Sequence, residues 1–191
     1  MPLILKPTCL PDIPMDFSVI LSSAIRRDEE SLFKRIVFMK PKKTNNILPN
    51  GMPLKIGIVM SVWHEKIIQA LLSDVLCALS DCGVKKKNIF IKMVPGSFEL
   101  PLAAKKMVQT KKVDAVLAIG CLIRGETDHY TYIASAVSRG IMQVGLETGV
   151  PVLFGVLTCT TMKQAKERSS GKKALGYHWG VAAVEIANKK K

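Results

Sequence analysis

One stretch of this 191-residue chain, Gly120 to His129, combines groups that can bind phosphate with a group that can move protons. It begins with the spacing of a phosphate-binding loop, G-x-x-x-x-G-K-[S/T], except that Glu126 replaces the lysine. A carboxylate beside the β- and γ-phosphates excludes a nucleoside triphosphatase. The backbone N–H groups of Gly125, Glu126 and Thr127 can still hold one phosphate at a helix N-terminus. The alternative is that Thr127 or Asp128 only caps that helix.

Four side chains, one at the end of this stretch and three outside it, could act on a substrate held beside such a phosphate. His129 suits general acid–base catalysis near pH 7, although a lone histidine is more often structural. Glu99 follows a Pro-Gly-Ser turn and could accept hydrogen bonds from a polyhydroxylated ligand, or only favour the helix dipole. Trp63 could stack on a flat heteroaromatic ring or belong to the core. Arg168 could clamp a phosphate or stabilise a helix terminus.

The cysteines and the missing motifs argue against several kinds of site. Five cysteines, an odd number with no C-x-x-C pair, argue against a disulfide framework and against zinc, so we expect no metal and a reducing compartment. Cys77 and Cys121 lie in apolar sequence and are predicted to be small core residues. No Ser-His-Asp or Cys-His nucleophile pattern is evident, and G-x-G-x-x-G is absent, which argues against a dinucleotide site.

The net charge of +13 attracts anions, but its distribution favours a solvated surface. Residues 1–38 carry five basic and five acidic residues, so 39–191, with 23 basic and 10 acidic, carry all of the excess. The lysines occur in short runs that are not interleaved with aromatic residues, so we expect no nucleic-acid partner. The longest uncharged apolar run has nine residues, 115–123, whereas a membrane span needs about 18, so we expect no membrane partner.

The N-terminal part differs from the rest of the chain. The apolar stretch 17–25 precedes Arg26 and Arg27, which is the reverse of the order in a secretory signal. Residues 40–53 are rich in Lys, Pro, Asn and Gly and are predicted to be a linker. We therefore divide the chain into an N-terminal extension and linker, 1–53, and a folded domain, 54–191. The extension is either disordered or the product of a start assigned upstream of a true start at Met39.

Strand-like and helix-like segments alternate from Leu54 onwards. The predicted strands are 54–60, 88–94, 115–119 and 152–157, and the predicted helices are 65–82, 98–110, 130–148, 161–169 and 177–188. This order predicts an α/β fold, a three-layer α/β/α sandwich around a four-stranded parallel sheet. Ligands of such sheets bind at the carboxyl ends of the strands. The loops expected there, 61–64, 95–99, 120–129 and 158–160, contain most of the candidate residues.

Two long motifs in these loops resemble the 6,7-dimethyl-8-ribityllumazine synthase family. They are VPGSFELP at 94–101 and GCLIRGETDHY at 120–130, and the resemblance continues through 140–141, 147–152, 154–158, 164–168 and 185–188. It implies a flavodoxin-like, cytoplasmic, cofactor-independent transferase of riboflavin biosynthesis. Such an enzyme condenses 5-amino-6-(D-ribitylamino)uracil with 3,4-dihydroxy-2-butanone 4-phosphate. The products are 6,7-dimethyl-8-ribityllumazine, phosphate and water, in the penultimate step of the pathway.

The resemblance also implies a role for each site residue. His129 would be catalytic and move protons during imine formation and phosphate elimination. The residues that would bind the pyrimidine and its ribityl chain are Trp63, His64, Ser97, Phe98, Glu99, Leu122, Ile123 and Phe154, the last supplied by a neighbouring subunit. The residues that would bind phosphate are Gly125, Glu126, Thr127 and Arg168.

The chain departs from the family pattern in the first loop and after Arg168. His64 replaces the usual Asn, and Val62 stands where Arg is common. The loop 169–175 is one residue shorter than in the family, where it bears on assembly. We expect at least a homopentamer, either free or built into a 60-subunit shell. In the family, the segment before the first strand pairs with the sheet of a neighbouring subunit. Residues 44–53 could form the same pairing.

Three other functions are kept as hypotheses. An archaeal-type riboflavin synthase would share the fold and act on the lumazine itself, but the phosphate-binding set of Gly125, Glu126, Thr127 and Arg168 favours the lumazine synthase. An inactive structural member of the family is supported only by His64 and the shortened loop. A basic nucleic-acid-binding module would lose its affinity as salt is added.

Overall fold

Four strands alternate with helices in the computed structural model, which describes residues 48–189. The strands are β1 Ile56–Ser61, β2 Ile89–Val94, β3 Ala115–Ile123 and β4 Val152–Cys159. The helices are α1 Glu65–Asp81, α2 Leu100–Lys111, α3 His129–Thr148, α4 Met162–Ser169 and α5 Gly176–Lys189. Short 3-10 turns occupy Lys86–Asn88, Ser97–Glu99 and Gly171–Lys173.

All four strands are parallel and form one sheet in the order β2-β1-β3-β4. The central strands are apolar on both faces because helices cover both: every residue of β1 is buried. On one face, Val59 and Val116 pack with Leu100 of α2 and Val137 of α3. Helices α1, α4 and α5 cover the other face. The three-layer α/β/α sandwich predicted from the sequence is thereby confirmed.

Helices α1 and α5 approach each other closely where Gly180 faces α1. A Cβ atom at Gly180 would lie 2.6 Å from the Ala78 Cβ and 2.8 Å from the Val75 carbonyl oxygen. Tyr177, at the start of α5, donates a 2.9 Å hydrogen bond from its hydroxyl to the Asp81 carboxylate at the end of α1. The two helices therefore form a closely packed layer behind the sheet.

Strand β3 extends further than its sequence pattern predicts. The expected end of β3 was residue 119, before Gly120, but pairing with β4 continues through Gly120 opposite Val156 to Ile123 opposite Cys159. The glycine does not end the strand because β4 supplies hydrogen-bond partners for it on one side. As a result, Leu122 and Ile123 belong to the sheet, and the loop before α3 contains only residues 124–128.

The cysteine prediction is correct at one position and wrong at the other. Cys121 is 2% exposed, and burial raises the pKa of its thiol to about 12. Cys77 is only half-buried, because it lies on the side of α1 near Asp81 rather than facing the sheet, with its Sγ 4.0 Å from the Asp81 carboxylate. Cys82 and Cys159 are also buried.

The described end of the predicted linker contacts the domain. Gly51 donates a 2.7 Å backbone hydrogen bond to the Cys82 carbonyl, and the Asn188 side chain donates one of 3.0 Å to the Asn50 carbonyl. The rest of the predicted extension, 1–47, lies outside the described residues. Within residues 48–189, no helix combines the length and apolar character needed to cross a bilayer.

Candidate functional site

The loops that follow the strands meet at the carboxyl edge of the sheet. Val62 donates a 3.0 Å backbone hydrogen bond to the Val94 carbonyl, which joins the loops after β1 and β2. Arg124 donates one of 2.9 Å to the Cys159 carbonyl, which joins the loops after β3 and β4. Because these two pairs connect neighbouring strands, candidate residues from all four loops are held at one edge.

The turn after β2 is fixed by one of its own candidate residues. The Glu99 carboxylate accepts a 2.8 Å hydrogen bond from the Gly96 backbone N–H, which closes the Ser97–Glu99 turn. Ser97 is buried under this turn, whereas Phe98 is 58% exposed. One oxygen of Glu99 therefore shapes the loop, and the other is available to a ligand hydroxyl.

The loop after β1 presents an aromatic ring to solvent. Trp63 is 69% exposed, so the alternative that it is a core residue is wrong. His64 has left-handed backbone angles, φ 60° and ψ 46°, and occupies the N-cap of α1 without a side-chain capping bond. Its carbonyl accepts hydrogen bonds from Ile67 and Ile68, so the backbone of His64, and not its imidazole, starts the helix.

The start of α3 leaves donor groups available for an anion. Asp128 is the N-cap residue, but its side chain makes no capping hydrogen bond. Thr127 accepts only a long bond, 3.4 Å, from the His129 backbone N–H. Gly125, Glu126, Thr127 and His129 are all exposed. Side-chain capping by Thr127 or Asp128 therefore satisfies few of the backbone N–H groups at the start of α3. The partial positive charge of this helix N-terminus can act on a bound phosphate.

Arg168 lies on α4, which packs against β3, β4 and α1, whereas α3 packs against α2 and β4. It is half-buried, and its Nη1 donates a 3.3 Å hydrogen bond to the Gln164 carbonyl of the same helix. Burial raises the pKa of the Cys159 thiol, and the Arg168 guanidinium partly offsets this effect. Arg168 therefore lies beside the end of β4, on the side of the sheet opposite α3.

Phe154 is not brought to the carboxyl edge within this chain. It lies in the middle of β4, opposite Ala118, and is 40% exposed. The strand end at Cys159 lies five positions further along, which corresponds to about 16 Å of extended chain. By contrast, Leu122 and Ile123 are half-buried at the end of β3, directly at the edge.

A pocket of about 170 Å³ opens beside α1 and contains none of the predicted site residues. Its lining residues are Met60, Ser61, Val62, Glu65, Ile68, Gln69 and Met93. The candidate residues instead surround an open surface. Sequence reasoning missed Ser61, which is fully buried and whose hydroxyl has no hydrogen-bond partner among the described residues. A polar residue at the end of an apolar strand, two positions before Trp63, was the available signal.

Among residues 48–189, no three His, Cys, Asp or Glu side chains lie close enough together to hold a metal ion. The arrangement offers instead a stacking ring, a carboxylate for hydroxyl groups, an anion site and an imidazole beside it. These groups can orient two organic molecules, one of them phosphorylated, and transfer protons between them.

Comparison with known proteins gives a consistent family. The family model described as 6,7-dimethyl-8-ribityllumazine synthase matches residues 53–191. A 6,7-dimethyl-8-ribityllumazine synthase of Parabacteroides distasonis is 40% identical over 144 residues, covering 75% of this chain and 90% of that protein. A protein of the same name from Phocaeicola vulgatus is 42% identical over 127 residues, covering 66% of this chain and 76% of that protein.

Proposed function

Since the chain belongs to the 6,7-dimethyl-8-ribityllumazine synthase family, we propose that it condenses 5-amino-6-(D-ribitylamino)uracil with 3,4-dihydroxy-2-butanone 4-phosphate. The products are 6,7-dimethyl-8-ribityllumazine, phosphate and water. The observation that carries the assignment at the level of the site is the start of α3. There, an exposed helix N-terminus with unused donor groups adjoins His129. A reaction that releases phosphate and moves several protons needs this pair of features.

Pyrimidine binding is assigned to the loops after β1, β2 and β3. The exposed Trp63 ring would stack on the pyrimidine, with His64 beside it and Leu122 and Ile123 forming the wall. The free oxygen of Glu99, together with Ser97, would bind the ribityl hydroxyl groups, and Phe98 would cover them. Because hydroxyl groups are read by hydrogen bonds, a pyrimidine without the ribityl chain should bind more weakly.

Phosphate binding is assigned to Gly125, Glu126, Thr127 and Arg168. The backbone N–H groups of the loop and the helix dipole favour the dianion, and the guanidinium of Arg168 supplies a planar pair of donors. The Glu126 side chain is exposed and can point into solvent while its backbone N–H faces the phosphate.

His129 would transfer protons between nitrogen and oxygen atoms of the two substrates. The amine of the pyrimidine attacks the ketone, and the carbinolamine loses water to form an imine. Elimination of phosphate leaves an enol, which tautomerises to a ketone. The ribityl-bearing nitrogen attacks this ketone, and loss of a second water closes the ring. Each step moves a proton, and a neutral imidazole near pH 7 can accept one and return it.

We also propose that the site is completed by a second copy of the chain in a cytoplasmic homo-oligomer, a homopentamer or a larger shell. Phe154 lies about 16 Å from the carboxyl edge of its own sheet, so it would act in a neighbour's site. Large apolar side chains are exposed along α2 and α3 and could form the contact between subunits. They are Leu102, Tyr132, Met142 and Leu146.

The test is a turnover assay of the purified full chain that follows lumazine formation from the two substrates. We expect His129→Ala and Arg168→Ala to slow turnover, by roughly 100-fold or more for the proton-transfer residue. His178→Ala, which removes an exposed histidine on α5, is the matched control and should turn over like the wild type. Absence of turnover by the folded wild type would refute the enzyme assignment. Formation of riboflavin from the lumazine alone would support the riboflavin synthase alternative.

A further inference from the structure

The fully buried hydroxyl at the end of β1 is not among the groups assigned to substrate binding. Ser61 is 0% exposed, and its Oγ has no hydrogen-bond partner among the described residues. Buried hydroxyl groups are nearly always hydrogen-bonded, because leaving one unpaired costs folding free energy. The Ser61 hydroxyl is therefore a candidate for a partner that comes with a ligand.

The strand register places Ser61 next to the turn that carries Ser97. Side chains alternate along a strand, so Ser61 faces the same side as Val59, which packs against Leu100. Met60 lies opposite Ile119, and continuing this register by one residue sets Ser61 beside Gly120, about 4.8 Å away.

Gly120 leaves space between the two serine side chains. A Cβ atom at Gly120 would lie 2.7 Å from the Ser97 Oγ, so that hydroxyl rests directly over the glycine. Ser97 is itself only 5% exposed. Two buried hydroxyl groups therefore flank one glycine, beneath the turn that Glu99 closes.

We propose that Ser61 is a positioning residue for the ribityl chain of the substrate. Its hydroxyl hydrogen-bonds to Ser97, directly or through one water, when Ser97 turns to meet a ligand hydroxyl. Ser61 thus acts through Ser97 and touches no reacting atom. This inference rests on the proposed function, specifically on the assignment of Ser97 to the ribityl chain.

The test is calorimetric titration of full-length wild type and Ser61→Ala with 5-amino-6-(D-ribitylamino)uracil alone. One hydrogen bond of about 0.5–1.5 kcal/mol corresponds to a 2- to 12-fold rise in Kd, which is the expected result for the variant. The melting temperature of Ser61→Ala should equal or exceed that of the wild type, because an unpaired buried hydroxyl has been removed. A structural serine would show the opposite combination.

Two controls locate the effect. In a Ser97→Ala background, Ser61→Ala should leave Kd unchanged, since the partner is gone. A pyrimidine with a methyl group in place of the ribityl chain should bind wild type and Ser61→Ala equally. Ser169→Ala calibrates the stability measurement: this buried serine donates a 3.1 Å hydrogen bond to the Lys166 carbonyl, so its loss should lower the melting temperature.

Several results would overturn the proposal. They are an unchanged Kd with a lowered melting temperature, an equal loss of affinity for the methyl analogue, and no binding of the ribityl pyrimidine by the wild type. Because binding is measured without the second substrate, a wild type that binds but does not turn over would refute the proposed function alone. The comparison of Kd values would still decide the role of Ser61.

Discussion

Replacing Gly120 by alanine should force the turn after β2 away from the sheet. The new Cβ would lie 2.7 Å from the Ser97 Oγ, 3.0 Å from the Leu100 Cδ1 and 3.2 Å from the Val156 Cγ1. Overpacking of this kind costs about 1–3 kcal/mol, which in a chain of this length lowers the melting temperature by about 2–12 °C. Since Ser97 must move, the affinity for the ribityl pyrimidine should fall as well.

Scanning calorimetry of four variants tests the reasoning. Gly125→Ala is the matched control, because nothing lies within 4 Å of a Cβ at that glycine, and its melting temperature should stay close to that of the wild type. Ser97→Ala removes the closest obstructing atom, so adding Gly120→Ala to it should cost less than adding it to the wild type. If Gly120→Ala melts like the wild type, or costs as much with Ser97 as without it, the close approach inferred here is wrong.

Two further predictions concern stacking and pH. Trp63→Ala should leave the melting temperature nearly unchanged, because the ring is 69% exposed. It should lower the affinity for the pyrimidine, measured by calorimetry, about 2- to 12-fold. An equal loss of affinity for the butanone phosphate alone would contradict stacking. Burial raises the pKa of the Cys82 thiol from 9.0 to about 11, and that of Cys121 to about 12. Unfolded thiols release protons above pH 9 while the folded ones keep theirs, so this contribution to stability is complete below pH 9 and is lost as pH rises towards 11. Chemical denaturation at about pH 8 and about pH 10.5 should show the decline, with a smaller decline in Cys82→Ala; an identical pH dependence in the variant would refute the assignment to this thiol.

Local sequence patterns were sufficient to predict the order of elements and the edge of the sheet where the candidate residues meet. Most predicted boundaries fall within two residues of the observed ones because each strand and helix buries an apolar face with its own period. The exception is the end of β3. Gly120 interrupts the apolar pattern locally, but the strand continues because β4, more than 30 residues later in the chain, pairs with it. Non-local pairing of this kind leaves no signal in a local window.

The candidate groups were easier to identify than their geometry. Residue types and positions after strands predicted Trp63, Glu99 and His129 as candidates, and the structure places all three at one edge. They could not predict that Glu99 holds the Gly96 backbone N–H, since that bond depends on how the turn closes. For Ser61 they offered only a polar residue at the end of an apolar strand, because its missing hydrogen-bond partner is a property of the folded chain.

The placement of the lysines changes the expected role of the positive charge. The run 85–87 precedes β2, and Lys111 and Lys112 precede β3, so these lysines lie at the amino edge of the sheet, opposite the site. Strand β3 has nine residues, about 30 Å, between that edge and the loop at Thr127. The screening length at physiological salt is about 8 Å, so the amino-edge lysines contribute little to the potential at the proposed phosphate site. If the phosphate binds as proposed, its attraction comes from groups at the carboxyl edge itself. These include the N-terminus of α3, Arg168 and the exposed Arg124, which act against the carboxylates of Glu126 and Asp128.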